Sequence, residues 1–341
     1  MAYLCAAALV FQVSSNTDQI LTIMKALCLG GLISSGATIV DFMGLVDLPN
    51  VNEVVVSTRT NVGHIVQASG VFPRRSAMGA YYLLIIVIGF VLFLYGTHAH
   101  RYTRIFFLTA AITCIVSISL THNRASVMAS FMALVLAILL RSKKPKEYIA
   151  YMLAVTMIFG LIYMFIVEVF PETWIAYQSL FGLGEIARAD PLLEFSDRLR
   201  WEFAKYTIWS LTTNPLGHGY SLLVGVPIFG NIPVDPHNLI SQILWGAGLF
   251  GGFWLLVMVW KGMKFFFVLK SNQVTRAKEG QIFLTIASAL FAFLLYNMMH
   301  TSISTGVAWL LFGAAVRLHK SVQEEQRVVY GSVKKLVVRT V

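Results

Sequence analysis

Apolar residues run through this chain in long, nearly unbroken stretches rather than in the short alternating patterns of half-buried strands. A bilayer core needs about 20 consecutive, mostly apolar residues per helix. Eight stretches approach that length, at roughly 19–40, 79–96, 105–120, 125–140, 148–169, 239–260, 281–299 and 303–318. The pattern predicts an all-α fold, a polytopic transmembrane bundle of about eight spans that forms a single integral membrane domain over residues 1–341. Two long polar connections interrupt it, at 41–78 and 170–238, and a basic tail follows from 319 to 341. A further run, Ala2–Val13, is apolar but too short to cross. It lacks the basic start and small-residue cleavage site of a signal peptide, and reads as the remnant of a span that began upstream.

Composition agrees with the pattern. Hydrophobic residues make up 57% of the chain and charged residues 12%, where a soluble domain carries about 25% charged residues; mean hydropathy is +0.73. The net charge of +10 would suit nucleic acid, but its distribution does not. Of the 26 Lys and Arg residues, 17 fall in one alternating set of connections (97–104, 141–147, 261–280 and the tail from Arg317) and 8 in the other, with Lys25 inside the first span. Positive residues near span ends are retained in the cytoplasm, so the first set is inside and faces anionic lipid; no nucleic-acid partner is needed. Cys5, Cys28 and Cys114 all lie in apolar runs without paired spacing, which argues against both a disulfide framework and a zinc site.

The two long loops are therefore extracytoplasmic, and they hold eight of the nine prolines. Connections longer than about 15 residues are usually functional or disordered. Trp174, Phe181, Trp201, Phe203 and Trp209 in the second favour a small folded cap with short helices. Residues 197–211 are amphipathic enough to form a helix along the membrane surface, ended by Asn214-Pro215-Leu216-Gly217-His218-Gly219, where a proline and two glycines break it.

Charges at the membrane are costly unless paired or functional, so the outer arginines are the first candidates for chemistry. Arg124 lies in the very short turn Thr121-His122-Asn123-Arg124-Ala125-Ser126, at the outer mouth of the bundle. A guanidinium offers phosphate oxygens a planar fork of donors; the alternative is a topological stop that snorkels to the headgroups. Arg198 and Arg200 open the surface helix beside Trp201, and two positions two residues apart point in different directions, so one of them faces the bundle. Arg59 in the first loop is a weaker candidate. Among eight histidines, His237 stands out in Asp235-Pro236-His237-Asn238, immediately before a strongly apolar span. An imidazole there can take a proton from a sugar hydroxyl, with Asp235 to orient it, or it can simply pack at the interface. His122, beside Arg124, is a lesser candidate. There is no metal-ligand spacing of the H-E-x-x-H kind, no G-x-S-x-G and no P-loop, which argues against metalloproteases, serine hydrolases and ATP-driven transport.

The order of these elements is what carries a resemblance. Asn123-Arg124-Ala125, then Arg198-Leu199-Arg200-Trp201 leading to Asn214-Pro215-Leu216-Gly217-His218-Gly219, then Pro236-His237-Asn238-Leu239 followed by Gly248-Leu249-Phe250-Gly251 resembles the O-antigen ligase and polymerase family. These are bacterial polytopic glycosyltransferases of the inner membrane that act on undecaprenyl-pyrophosphate-linked glycans. The likeness extends over about residues 60–320. Asn123 stands where the family usually has Ser, and Gly246 where many relatives have Glu; relatives also tend to have more spans at the amino end. The resemblance implies that Arg124 with Arg198 or Arg200 binds the donor pyrophosphate; Asp235, His122 and Arg59 are candidates for support by position alone. It implies that His237 activates the acceptor hydroxyl or positions it. No metal or other cofactor is called for, since the arginines supply the positive charge. The partners are then the lipid-linked glycan, an acceptor glycan or lipid A core, and membrane lipid.

Polymerase is favoured over ligase, because two long outer loops that carry arginines suit two lipid-linked anionic substrates. A secondary transporter is the alternative from another class, but it would call for intramembrane carboxylates and inverted repeats, and Asp and Glu are nearly missing from the spans.

Overall fold

The computed structural model describes residues 17–46, 75–96, 100–120, 123–142, 144–169, 191–219, 239–269, 278–298 and 310–318. Among them every regular element is a helix: α1 (Thr17–Phe42), α2 (Arg75–Tyr95), α3 (Arg101–Leu120), α4 (Arg124–Arg141), α5 (Pro145–Val169), α6 (Pro191–Thr213), α7 (Leu239–Leu269), α8 (Lys278–Asn297) and α9 (310–318). Six of these are long and apolar enough to cross a membrane, namely α1, α2, α3, α5, α7 and α8. The chain is a polytopic helical membrane protein. The fourth predicted span is present as α4, though its apolar stretch Ala125–Arg141 is shorter than the rest. The predicted span at 303–318 is described only over α9. The segment Ala2–Val13, most of the first long loop and the basic tail lie outside the described residues.

The bundle is organised around α2. From Met78 to Leu92 nearly every side chain of this helix is buried, which is what a helix apolar on all sides requires; α1, α3, α4 and α8 all pack on it. Lipid tails are as apolar as leucine, so helices in a bilayer associate through close backbone approach and interhelical hydrogen bonds. Both are visible. At Gly89 the α2 backbone comes so near α3 that an added Cβ would sit 2.5 Å from the Phe107 carbonyl oxygen. Ser117 Oγ donates to the Ser35 carbonyl at 2.9 Å, Tyr81 Oη donates to the Leu27 carbonyl at 2.9 Å, and Thr38 Oγ1 and Tyr82 Oη share a bond of 3.1 Å. By contrast α5 is peripheral. It buries Val155, Ile162 and Ile166, and its Leu153, Leu161 and Met164 form an exposed apolar face of the kind that lipid covers.

The ends of the helices alternate as the charge pattern predicts. At one end Lys278 of α8 pairs with Asp18 of α1, Arg141 lies 5.8 Å over the Tyr95 ring, and Arg104 donates through Nε and Nη2 to the Phe93 carbonyl at 2.9 and 2.7 Å. At the other end lie the starts of α2 and α4 and the last turns of α1, α3 and α8.

Candidate active site

Two junctions position the candidate residues. The first holds Arg124. Asn123 caps α4 by accepting from the Ser126 amide at 3.3 Å through Oδ1, which satisfies one of the orphan donors of a helix start. Its amide nitrogen donates to Tyr296 Oη of α8 at 3.0 Å. The pair is seated against α2, where a Cβ added to Gly79 would fall 2.1 Å from Asn123 Nδ2 and 2.5 Å from Ser126 Oγ. Three helices thus fix the turn on which Arg124 is the first helical residue. In the sequence Asn123 stands out as a departure from serine and as a helper to Arg124 in binding an anion; nothing local points to its partners Tyr296, 173 residues away, and Gly79, on another helix.

The second junction joins α6 to α7. α6 starts with Pro191, a residue suited to the first helical position, and runs to Thr213, longer than the predicted 197–211 at both ends. It ends as predicted at Asn214-Pro215. Thr212 and Thr213 hydroxyls donate to the Trp209 and Ser210 carbonyls at 2.7 and 3.0 Å, and Asn214 Nδ2 to the Gly217 carbonyl at 2.8 Å. The 31-residue α7 also outruns its predicted span, and at Gly248 its backbone leaves helical geometry (φ 58°, ψ −148°).

The break in α7 is where the end of α6 docks. The His218 amide donates to the Trp245 carbonyl at 2.7 Å, the Gly219 amide to the Gly246 carbonyl at 2.9 Å, and the Leu249 amide to the Pro215 carbonyl at 2.9 Å. A broken helix at membrane depth is tolerated only where its freed backbone groups find partners, and here the loop supplies them. Two glycines make the approach possible. A Cβ at Gly248 would lie 2.1 Å from the Pro215 oxygen, and one at Gly217 would lie 2.5 Å from the Gly248 nitrogen; both residues have φ in the left-handed region, +58° and +83°. His218 stacks on Trp245 with ring centroids 3.9 Å apart and planes 17° apart. The motifs Asn214–Gly219 and Gly248–Gly251, the latter with Gly246 before it, are therefore the two halves of one clasp.

The clasp also orders α6. Its buried positions are Phe203, Thr207 and Ser210, and α7 buries Ser241 and Trp245. Thr207 Oγ1 and Gln242 Oε1 are buried without a hydrogen-bond partner among the described residues, so the seam between the two helices is polar. Continued backwards at three- and four-residue steps, the stripe 203, 207, 210 reaches position 200, while position 198 falls on the opposite side of α6. His237, Asp235, His122 and Arg59 lie outside the described residues, as do the side chains of Arg124, Arg198 and Arg200. Among the described residues no group of three or more His, Cys, Asp or Glu could hold a metal ion.

Residues 109–256 match the family model described as O-antigen ligase. That match marks a segment similar to the O-antigen ligase family. It begins in α3, takes in both the Arg124 turn and the whole clasp, and ends in α7 beyond Gly251. No curated protein and no solved structure matches the chain. Together with the apolar helices, the match is that of a multi-pass membrane protein.

Proposed function

We propose that the protein is a glycosyltransferase of the bacterial inner membrane that moves a glycan from undecaprenyl pyrophosphate to a sugar hydroxyl on the extracytoplasmic side. The acceptor hydroxyl attacks the anomeric carbon, the bond from that carbon to the phosphate oxygen breaks, and the departing lipid pyrophosphate keeps the electron pair. His237 takes the hydroxyl proton. Arg124 and Arg200 bind the pyrophosphate and stabilise the charge that grows on it, the task for which fixed cationic donors are most effective. The single observation that carries the reading is that the O-antigen ligase match spans Arg124, the α6 arginines, His237 and the clasp in one segment. Arg200 is preferred to Arg198 because its position continues the stripe that α6 turns towards α7. Asp235, His122 and Arg59 are assigned supporting roles.

Polymerisation of lipid-linked repeats is the favoured reaction, because two long outer loops that carry arginines suit two lipid-linked anionic substrates. The second reading is ligation to lipid A core, favoured by the description of the matched family. The test is glycan profiling in a host lacking this gene, complemented at matched membrane levels. Wild type should restore long glycan, His237→Ala and Arg124→Ala should not, and Arg200→Ala should fall further than Arg198→Ala. A removed general base lowers turnover by about 10²–10⁴-fold. Full restoration by His237→Ala and Arg124→Ala would overturn the site. The products distinguish the two reactions, because only ligation leaves glycan attached to lipid A core. The proposal uses no metal cofactor, so chelator should leave turnover unchanged.

A further inference from the structure

The end of the bundle opposite Asn123 contains a cleft that the proposed transfer does not use. It measures about 210 Å³, and its polar lining is Asp18, Lys25, His100, Thr103, Lys278 and Gln281, contributed by α1, α3, α8 and the residue before α3. The rest of its lining is apolar apart from the Gly96 backbone. That volume is below the roughly 300–1,000 Å³ of pockets for drug-sized ligands, so the cleft suits a small charged group and not a glycan.

Its charge is biased towards an anion. Asp18 is taken up by its pair with Lys278. Lys25 has no ion pair among the described residues and lines the same cleft. It sits eight residues into α1, about 12 Å along the helix axis at 1.5 Å per residue. A lysine at that depth in a span is costly unless it reaches a headgroup or binds a ligand. The starts of α1, α3 and α8 also meet here, and their positive ends add to the bias. Arg101 and Arg104 belong to the same end, which the charge count assigns to the cytoplasm, and basic pockets between spans on that side hold anionic headgroups.

We propose that this cleft binds a phosphate group, supplied by the headgroup of an anionic phospholipid and held by Lys25 with His100. The inference is independent of the glycosyl-transfer reading, and a failure of either leaves the other standing. The experiment is thermal unfolding of the purified full-length protein in neutral detergent, with phosphatidylglycerol, phosphatidylcholine or millimolar inorganic phosphate added. A ligand that binds only the folded state raises the midpoint. Phosphatidylglycerol should raise it by several degrees in the wild type, by less than half as much in Lys25→Gln, and by the wild-type amount in Lys25→Arg; phosphatidylcholine should do nothing. If inorganic phosphate alone reproduces the shift and Lys25→Gln abolishes it, the site stands and its ligand is soluble phosphate. Equal shifts in wild type and Lys25→Gln, or none with either anion, would overturn the proposal. Native mass spectrometry gives a second readout should Lys25→Gln prove unstable: the number of phosphatidylglycerol molecules retained should fall by one.

Discussion

The bundle of α1 to α4 with α8 and the pair α6 and α7 are held together by different means. In the bundle, dozens of buried apolar side chains close on α2, joined by hydrogen bonds between helices from Ser, Thr, Asn and Tyr side chains. Between α6 and α7 a handful of the described side chains are buried, and three backbone hydrogen bonds join the two through a glycine break. Side-chain packing is distributed, so it degrades in proportion to what is removed. A backbone clasp depends on two Cα positions without a Cβ, and it fails as a unit. The candidate arginines are divided between these regimes, Arg124 on the packed side and Arg200 on the clasped side.

The largest effect should come from Gly248→Ala. The new Cβ meets the Pro215 oxygen in a backbone conformation that non-glycine residues rarely adopt. We expect a local loss of more than about 3 kcal/mol, seen as rapid proteolysis around 214–219 while the melting temperature of the bundle is unchanged. A parallel fall in melting temperature would show that the two regions are one cooperative unit and would break the comparison. Gly89→Ala should act in the opposite sense. It crowds the Phe107 carbonyl at the centre of the bundle and should cost about 1–3 kcal/mol of overpacking, read as a lower melting temperature with the clasp still resistant to protease.

Asn123→Ala comes next, at about 2 kcal/mol from a lost cap and a lost buried bond to Tyr296. Asn123→Ser keeps the cap and should recover about half of that in thermal unfolding. The smallest effect is expected at Gly36, where an added Cβ meets nothing within 4 Å. Gly36→Ala should be neutral or stabilising by up to about 1 kcal/mol through helix propensity, and a clear loss of stability there would mean that this face of α1 is covered by something other than lipid.

The spans were legible because the bilayer imposes a length and a composition that few other structures share, as α2 and α5 illustrate. Helix ends were less legible. Lys261 and Lys264 read as the close of a span, yet α7 continues to Leu269, since a helix can run past the apolar region without changing its local structure. Leu192, Leu193 and Phe195 read as loop, yet Pro191 starts α6 there. In the candidate site, the glycine motifs were visible as motifs, but nothing in local sequence says that Gly217 and Gly248 face each other. Pairings of that kind belong to tertiary structure, and so does the bond from Asn123 to Tyr296.

Arg104 bears on how the chain enters the membrane. Its guanidinium closes on the carbonyl of Phe93, 11 residues earlier, and lies 5.5 Å over the Phe93 ring. During biogenesis, α2 would reach the bilayer with the carbonyls of its last turn unmet. The charge count assigns the following loop to the cytoplasm, and on that assignment the cation that retains it is also the donor that meets the Phe93 carbonyl, so α2 and α3 are suited to insert as a single hairpin. One of the charges that sets topology is thereby converted, on insertion, into a permanent internal fastening.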